Sequence, residues 1–284
     1  MNILKATIVM QDLSRNNIPV QDIKYNTIGT GYNSTRRADE YLTNRLFHLL
    51  KPVKDKLYLD IGCGTGNYTI ALADKGVSFV GIEPSDKMLK EAKLRSKKVN
   101  WLTGTAEQIP TEDKIFDGAI ATLTIHHWTN LEKAFIEINR VLSDSGRFVL
   151  FTSTREQMKG YWLNHYFPQM MNASILQMPS MDNIIEATTN AGFELTTTEK
   201  YFIRDDQQDH FLYVGKNRPE LYFNEQVRNG ISSFSSLSNI AEVEQGLQKL
   251  NTDLNSNAFE AIKKNYNNDI GDYIFITLQK RDNT

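Results

Sequence analysis

One cysteine, Cys63, stands in 284 residues, so no intramolecular disulfide can form, and a reducing cytoplasm is the expected setting. Prolines number only 7, and no apolar run approaches the length of a membrane span. The opening MNILKATIVMQDLS has a short apolar stretch without a small-residue cleavage site, so neither a signal peptide nor a transmembrane helix is expected. Charge of one sign is also missing. Lys and Arg total 32 against 34 Asp and Glu, a balance with no electrostatic footprint for nucleic acid. Repeats are absent, and the only biased tract is the Ser-rich ISSFSSLS at 231–238. No ligand spacing for a metal occurs. What remains is an ordinary globular composition, 40% hydrophobic and 23% charged, long enough for a sizeable core.

The segment LYLDIGCGTGNYT, from Leu57 to Thr69, carries most of the information. A short apolar run breaks into glycines alternating at Gly62, Gly64 and Gly66, and an amphipathic run follows. Strand, glycine turn and helix in that order form the first unit of an open α/β sheet. Glycine lets a backbone lie against a ligand and take φ > 0. The GxGxG spacing, with Asp60 two residues before Gly62, differs from the GxGxxG of dinucleotide-binding proteins.

Further β–α steps follow. VSFVGIE ends in Glu83, an acid at the end of the second strand, where a carboxylate can accept from both hydroxyls of a ribose. Pro84-Ser85-Asp86 starts a helix with Met88, Leu89 and Ala92 on one face. VNWLTG leads into Thr105-Ala106-Glu107, and FDGAIATLT forms a fourth strand to about Thr122. Thr129 and Glu132 have the spacing of a capping box, ahead of a stripe through Leu131, Phe135, Ile138 and Leu142. SDSG, with Gly146 at the turn, leads to a fifth strand, RFVLFTS.

These motifs, in this order, resemble the class I S-adenosylmethionine-dependent methyltransferases, and most closely the type 11, or ubiquinone-biosynthesis-like, small-molecule subfamily. The likeness covers 25–155 well and 180–203 and 271–280 more loosely. It implies a Rossmann-like seven-stranded α/β sheet with helices on both faces and a helical cap. It also implies S-adenosyl-L-methionine as methyl donor and a small-molecule acceptor. By resemblance, Asp60, Gly62, Cys63 and Gly64 hold the methionine part of the donor and Glu83 its ribose. Pro84, Met88, Ala106 and Glu107 are placed near adenine, and Thr122 and Leu123 beneath the sulfonium. Tyr32, Arg36 and Arg37, from a helical segment ahead of the first strand, are matching candidates to close the site. A guanidinium there can pair bidentately with the methionine carboxylate, or each arginine can be part of a solvated face.

His126 and His127, after the fourth strand, are the catalytic candidates, since either could act as general base. The alternative is that the pair satisfies backbone groups while Trp128 packs beneath the helix start. His165 and Tyr161 are weaker candidates. A non-catalytic protein binding the donor or its demethylated product remains an alternative, and a nicotinamide-dependent oxidoreductase is disfavoured by the glycine spacing.

The expected organisation has an N-terminal extension and covering helix (1–50), a cofactor-binding core (51–155) and a cap segment (156–180). A core helix and strand (181–204), a helical cap insertion (205–269) and a last core strand (270–284) complete it. The aromatic and Met-rich 160–181 suits either an apolar pocket or plain packing.

Overall fold

The structure, a computed structural model, describes residues 35–281. Seven strands form one sheet in the order β3-β2-β1-β4-β5-β7-β6. They are β1 Leu57–Ile61, β2 Ser78–Glu83, β3 Asn100–Thr103, β4 Phe116–Thr122, β5 Leu142–Thr152, β6 Phe193–Tyr201 and β7 Tyr273–Lys280. The first five strands are parallel and β7 runs antiparallel between β5 and β6. The strand order reverses beside β1, which puts a crevice at the carboxyl ends of β1 and β4.

The helices, in chain order, are α1 Glu40–Leu50, α2 Asn67–Asp74, α3 Asp86–Arg95, α4 Leu131–Val141, α5 Arg155–Lys159, α6 Leu163–Tyr166, α7 Pro168–Gln177 and α8 Met181–Asn190. Between β6 and β7 come α9 Glu225–Asn229, α10 Ile240–Asn255 and α11 Phe259–Asn265.

Parallel strands covered on both faces must be apolar along their length, and β4 and β5 are: Ala119, Ile120, Phe148, Val149 and Leu150 are fully buried. The α4 stripe covers them through Ala134, Phe135, Ile138 and Val141, each contributing about 1–3 kcal/mol by leaving water. The N-cap of α4 differs from expectation. Asn130, not Thr129, caps it, its side chain accepting from Lys133 N at 2.8 Å. Thr129 instead donates to Glu107, as described below. The SDSG segment, expected as the turn into the fifth strand, lies inside β5 beside an irregularity of register, and the positive φ there falls on Ser145 (58°), not Gly146. Gly146 is there for space, since a Cβ would sit 2.8 Å from the Ser143 carbonyl oxygen.

The residues between β6 and β7 pack against α6 and α7 rather than forming a loop. Phe167 occupies the notch at Gly246 of α10, where a Cβ would be 2.4 Å from its ring. Glu242 of α10 accepts from Gln169 N and Met170 N, at 2.6 and 3.1 Å. It thereby supplies the cap that the start of α7 lacks locally. Trp162 is fully buried against Tyr222 and Phe259. Among the described residues, no helix is long and apolar enough to cross a membrane.

Candidate active site

The glycine loop is left-handed at every alternate residue, with φ of +67° at Gly62, +57° at Gly64 and +79° at Gly66. The spacing therefore has a backbone cause, since only glycine takes that conformation without cost. The loop is tied to β2: Cys63 N donates to Ile82 O at 3.0 Å, and Gly64 N to Glu83 Oε2 at 3.0 Å. A Cβ at Gly62 would meet Thr124 Oγ1 at 2.2 Å, whereas at Gly64 it would meet nothing within 4 Å. Gly66 and Gly81 are both covered by the Trp101 ring, which leaves no room for a Cβ at either.

Two buried acids flank the loop. Asp60 accepts from Thr69 Oγ1 at 2.5 Å, and burial pushes its carboxyl up to about 7. Glu83 accepts from Ser85 N at 2.9 Å through its other oxygen. Burial raises its pKa, and the two backbone N–H groups oppose that rise. Each Glu83 oxygen thus takes one N–H and keeps a lone-pair site for a further donor, such as a ribose hydroxyl. The Cys63 thiol is pushed well up by burial, with Asp60 and Glu83 adding to the effect, which argues against a thiolate nucleophile.

A cavity of about 930 Å³ opens on this loop. Its lining unites Arg36, Asp60, Gly62, Cys63, Gly64, Glu83, Pro84, Met88, Ala106, Glu107, Thr122, Leu123, His126 and His127. Met88 is 5% exposed and Ala106 4%, an apolar slot beside the Glu83 carboxylate. Leu123, at the end of β4, holds φ +53°, and its N–H donates to Phe151 O at 2.8 Å. A strained residue at the floor of a cavity is a common mark of a working site. A carboxylate with spare acceptor capacity, an apolar slot and a loop stripped of Cβ atoms fit an adenosyl ligand carrying an amino acid.

Several expected residues sit differently. Tyr32 lies outside the described residues. Arg37 is exposed and does not line the cavity. Arg36 lines it, but its guanidinium grips a protein carboxylate: Nε donates to Asp209 Oδ1 at 2.6 Å. Tyr68 OH donates to Asp209 Oδ2 at 3.0 Å, and Asn67 Nδ2 to Arg36 O at 2.9 Å. Glu107, expected at an adenine edge, turns its carboxylate to the start of α4, accepting from Thr129 N, Thr129 Oγ1 and Asn130 N at 2.6, 3.0 and 3.2 Å. His165 stands outside the lining, with its ring edge-on to Tyr166 and its pKa lowered by burial and Lys249. Tyr161 lines the cavity, but its OH donates to the Asp272 carbonyl.

His126 and His127 fall in a 3₁₀ turn, Ile125–His127, with ring centroids 4.0 Å apart. Trp128 packs edge-on against Phe135, at the foot of α4. Asp209, Tyr68 and Phe211 were not singled out by sequence. Tyr68 follows the glycine loop directly and could have been, but Asp209 and Phe211 stand in DDQQDHF, which carries no pattern. Among the described residues no His, Cys, Asp and Glu cluster could hold a metal.

A family model described as a methyltransferase domain matches residues 59–150. A putative methyltransferase from an antibiotic biosynthesis pathway of Anabaena variabilis superposes with a TM-score of 0.77 at 36% identity, over 86% of this chain and 98% of that one. An uncharacterized methyltransferase of Mycobacterium tuberculosis is 34% identical over 112 residues, 39% of this chain and 46% of its own length. The demethylmenaquinone methyltransferase of Thermotoga maritima is 24% identical over 180 residues, 56% of this chain and 79% of its own. The chain thus spans about half the length of the first curated relatives it matches. The non-catalytic binding role finds no support among these relatives.

Proposed function

The chain belongs to the class I S-adenosylmethionine-dependent methyltransferases, and from that premise we propose that it methylates a small-molecule acceptor inside the cavity at the carboxyl ends of β1 and β4. The observation that carries this is the convergence, in one cavity, of the left-handed glycine loop, the Glu83 carboxylate and the paired imidazoles.

The bound donor supplies a methyl carbon already activated by its sulfonium. The protein's tasks are therefore to orient, to exclude water and, where the acceptor is protic, to take a proton. Asp60 and the Gly62–Gly64 backbone form the seat for the amino-acid end, while Glu83 receives the ribose hydroxyls. Met88 and Ala106 flank the base. Thr122 and the strained Leu123 form the floor at the reacting carbon. We assign proton removal to His126 or His127, whose turn stands on the same wall. Where the acceptor is protic, that imidazole would take its proton, and the glycine loop with Glu83 would hold the donor. We place the chain in the cytoplasm, on its single free cysteine.

The test is thermal denaturation with S-adenosylmethionine, S-adenosylhomocysteine, NAD⁺ and NADP⁺. A ligand at about 100 times its dissociation constant adds about 2.7 kcal/mol. Stabilisation by the two adenosyl-sulfur compounds alone is expected. A shift with either nicotinamide instead would overturn the assignment of the loop.

A further inference from the structure

The four-residue turn 105–108 is closed in both directions, Thr105 N donating to Gln108 O at 3.3 Å and Gln108 N to Thr105 O at 3.2 Å. Its two central residues serve different parts of the site. Ala106, 4% exposed, forms the apolar slot beside Glu83. Glu107 reaches the chain just after the His126–His127 turn, where one of its oxygens accepts from Thr129 N, Thr129 Oγ1 and Asn130 N.

The start of α4 needs that acceptor. A capping box takes the N-cap N–H with the side chain three residues further on, but that residue here is Lys133, an ammonium with donors only. A carboxylate at a helix N-terminus also gains from the helix dipole and from charge-assisted hydrogen bonds. Yet other contacts already hold this stretch of chain to α4. Ile109 N donates to Glu137 Oε1 at 2.9 Å, and Arg140 donates to Ile109 O and Thr111 O at 3.0 and 2.9 Å. What Glu107 adds is a link from the slot to the residues that follow the imidazoles.

That link is short and has little slack. Ala106 adjoins Glu107 in the chain, and Thr129 stands two residues after His127. Trp128, between them, is packed edge-on against Phe135, and His127 N closes the 3₁₀ turn on Thr124 O at 2.9 Å. A displacement of Ala106 therefore reaches the imidazoles before it can dissipate.

We infer that Glu107 is a positioning residue that couples the slot at Ala106 to the imidazoles: filling the slot sets the orientation of the His126–His127 turn, so that the base is aligned when the donor is in place. This rests on the reading of the cavity as the methyl donor's site.

The experiment follows the imidazole signals of His126 and His127 by NMR, assigned with the single Gln variants, as adenosine is added. Adenosine has the base and ribose of the donor but not its methionine part, so it fills the slot and stops short of the floor at Thr122 and Leu123. Both signals are expected to move. In Glu107→Ala the movement at saturation should fall about threefold or more, whereas Glu107→Gln, which keeps an acceptor oxygen, should retain about half of it or more. Equal movement in the unmodified protein and Glu107→Ala overturns the inference, and so does a Gln variant no better than the Ala one. A Glu107→Ala protein that fails to fold would make the side chain a plain structural cap and overturns it too. So does S-adenosylhomocysteine binding without any response of the imidazoles to adenosine. Failure of both ligands to bind is a separate result and counts against the donor site alone.

Discussion

Two glycines of one loop, two residues apart, should fail in opposite ways when given a methyl group. Gly64 holds φ +57° and lines the cavity, with nothing within 4 Å of the position its Cβ would take. Alanine there carries only the left-handed strain, about 1–2 kcal/mol, partly offset by a stiffer unfolded chain. Tm should therefore fall by only about 2–4 °C. The new methyl, however, occupies space assigned to the donor. The added stability of about 2.7 kcal/mol from saturating S-adenosylhomocysteine should be largely lost. Gly66 holds φ +79° but is absent from the lining, and its Cβ would sit 2.4 Å from Trp101 Cη2. Gly66→Ala adds overpacking of about 1–3 kcal/mol to the same strain, so its Tm should fall roughly twice as far or more. Its folded molecules should still bind. Thermal denaturation with and without S-adenosylhomocysteine reads both quantities. If Gly64→Ala keeps the full ligand shift, the loop is not the donor's seat and the reasoning is refuted.

Asp60 makes stability depend on pH. With its carboxyl pushed up to about 7 by burial, the folded chain keeps a proton that the unfolded chain loses near pH 4. Stability should therefore fall as pH rises through that window and level off above it. Asp60→Asn should flatten the Tm-against-pH curve between about pH 4 and 7, and parallel curves for the two proteins would contradict the shift. If His126 or His127 is the base, changing that one to Gln should lower kcat about 100-fold while S-adenosylhomocysteine binds as before; unchanged turnover in both variants would remove the base role. Asp209→Ala leaves the partly buried Arg36 guanidinium without its carboxylate and should cost about 3 kcal/mol in urea unfolding, and a loss under 1 kcal/mol would mean the pair is solvated.

The glycine loop and the acids beside it were legible in the sequence because these parts are local. Gly62, Gly64, Glu83 and the Ser85 cap are each fixed by the strand end they terminate, and strand ends show as breaks in apolar runs. The contact between Glu107 and Thr129 was not legible, for the opposite reason. Both are consistent with nearby motifs, yet they meet each other across 22 residues. Arg36 and Asp209 are 173 residues apart, and no periodicity announces such a pair. The rest of the cavity was legible only as composition. Tyr161 and the methionines suggest an apolar wall, but the contact of Tyr161 OH with the Asp272 carbonyl joins residues 111 apart.

The pairing of Tyr201 with Tyr273 means that the 71 intervening residues leave and rejoin the sheet at a single rung. A segment rooted this way can lengthen, shorten or be exchanged while both flanking strands keep their register. The entropy of closing it grows only logarithmically, about 0.6 kcal/mol per doubling of length. Descendants of one ancestor could thus reshape one side of the cavity by rewriting this one stretch while inheriting the glycine loop unaltered.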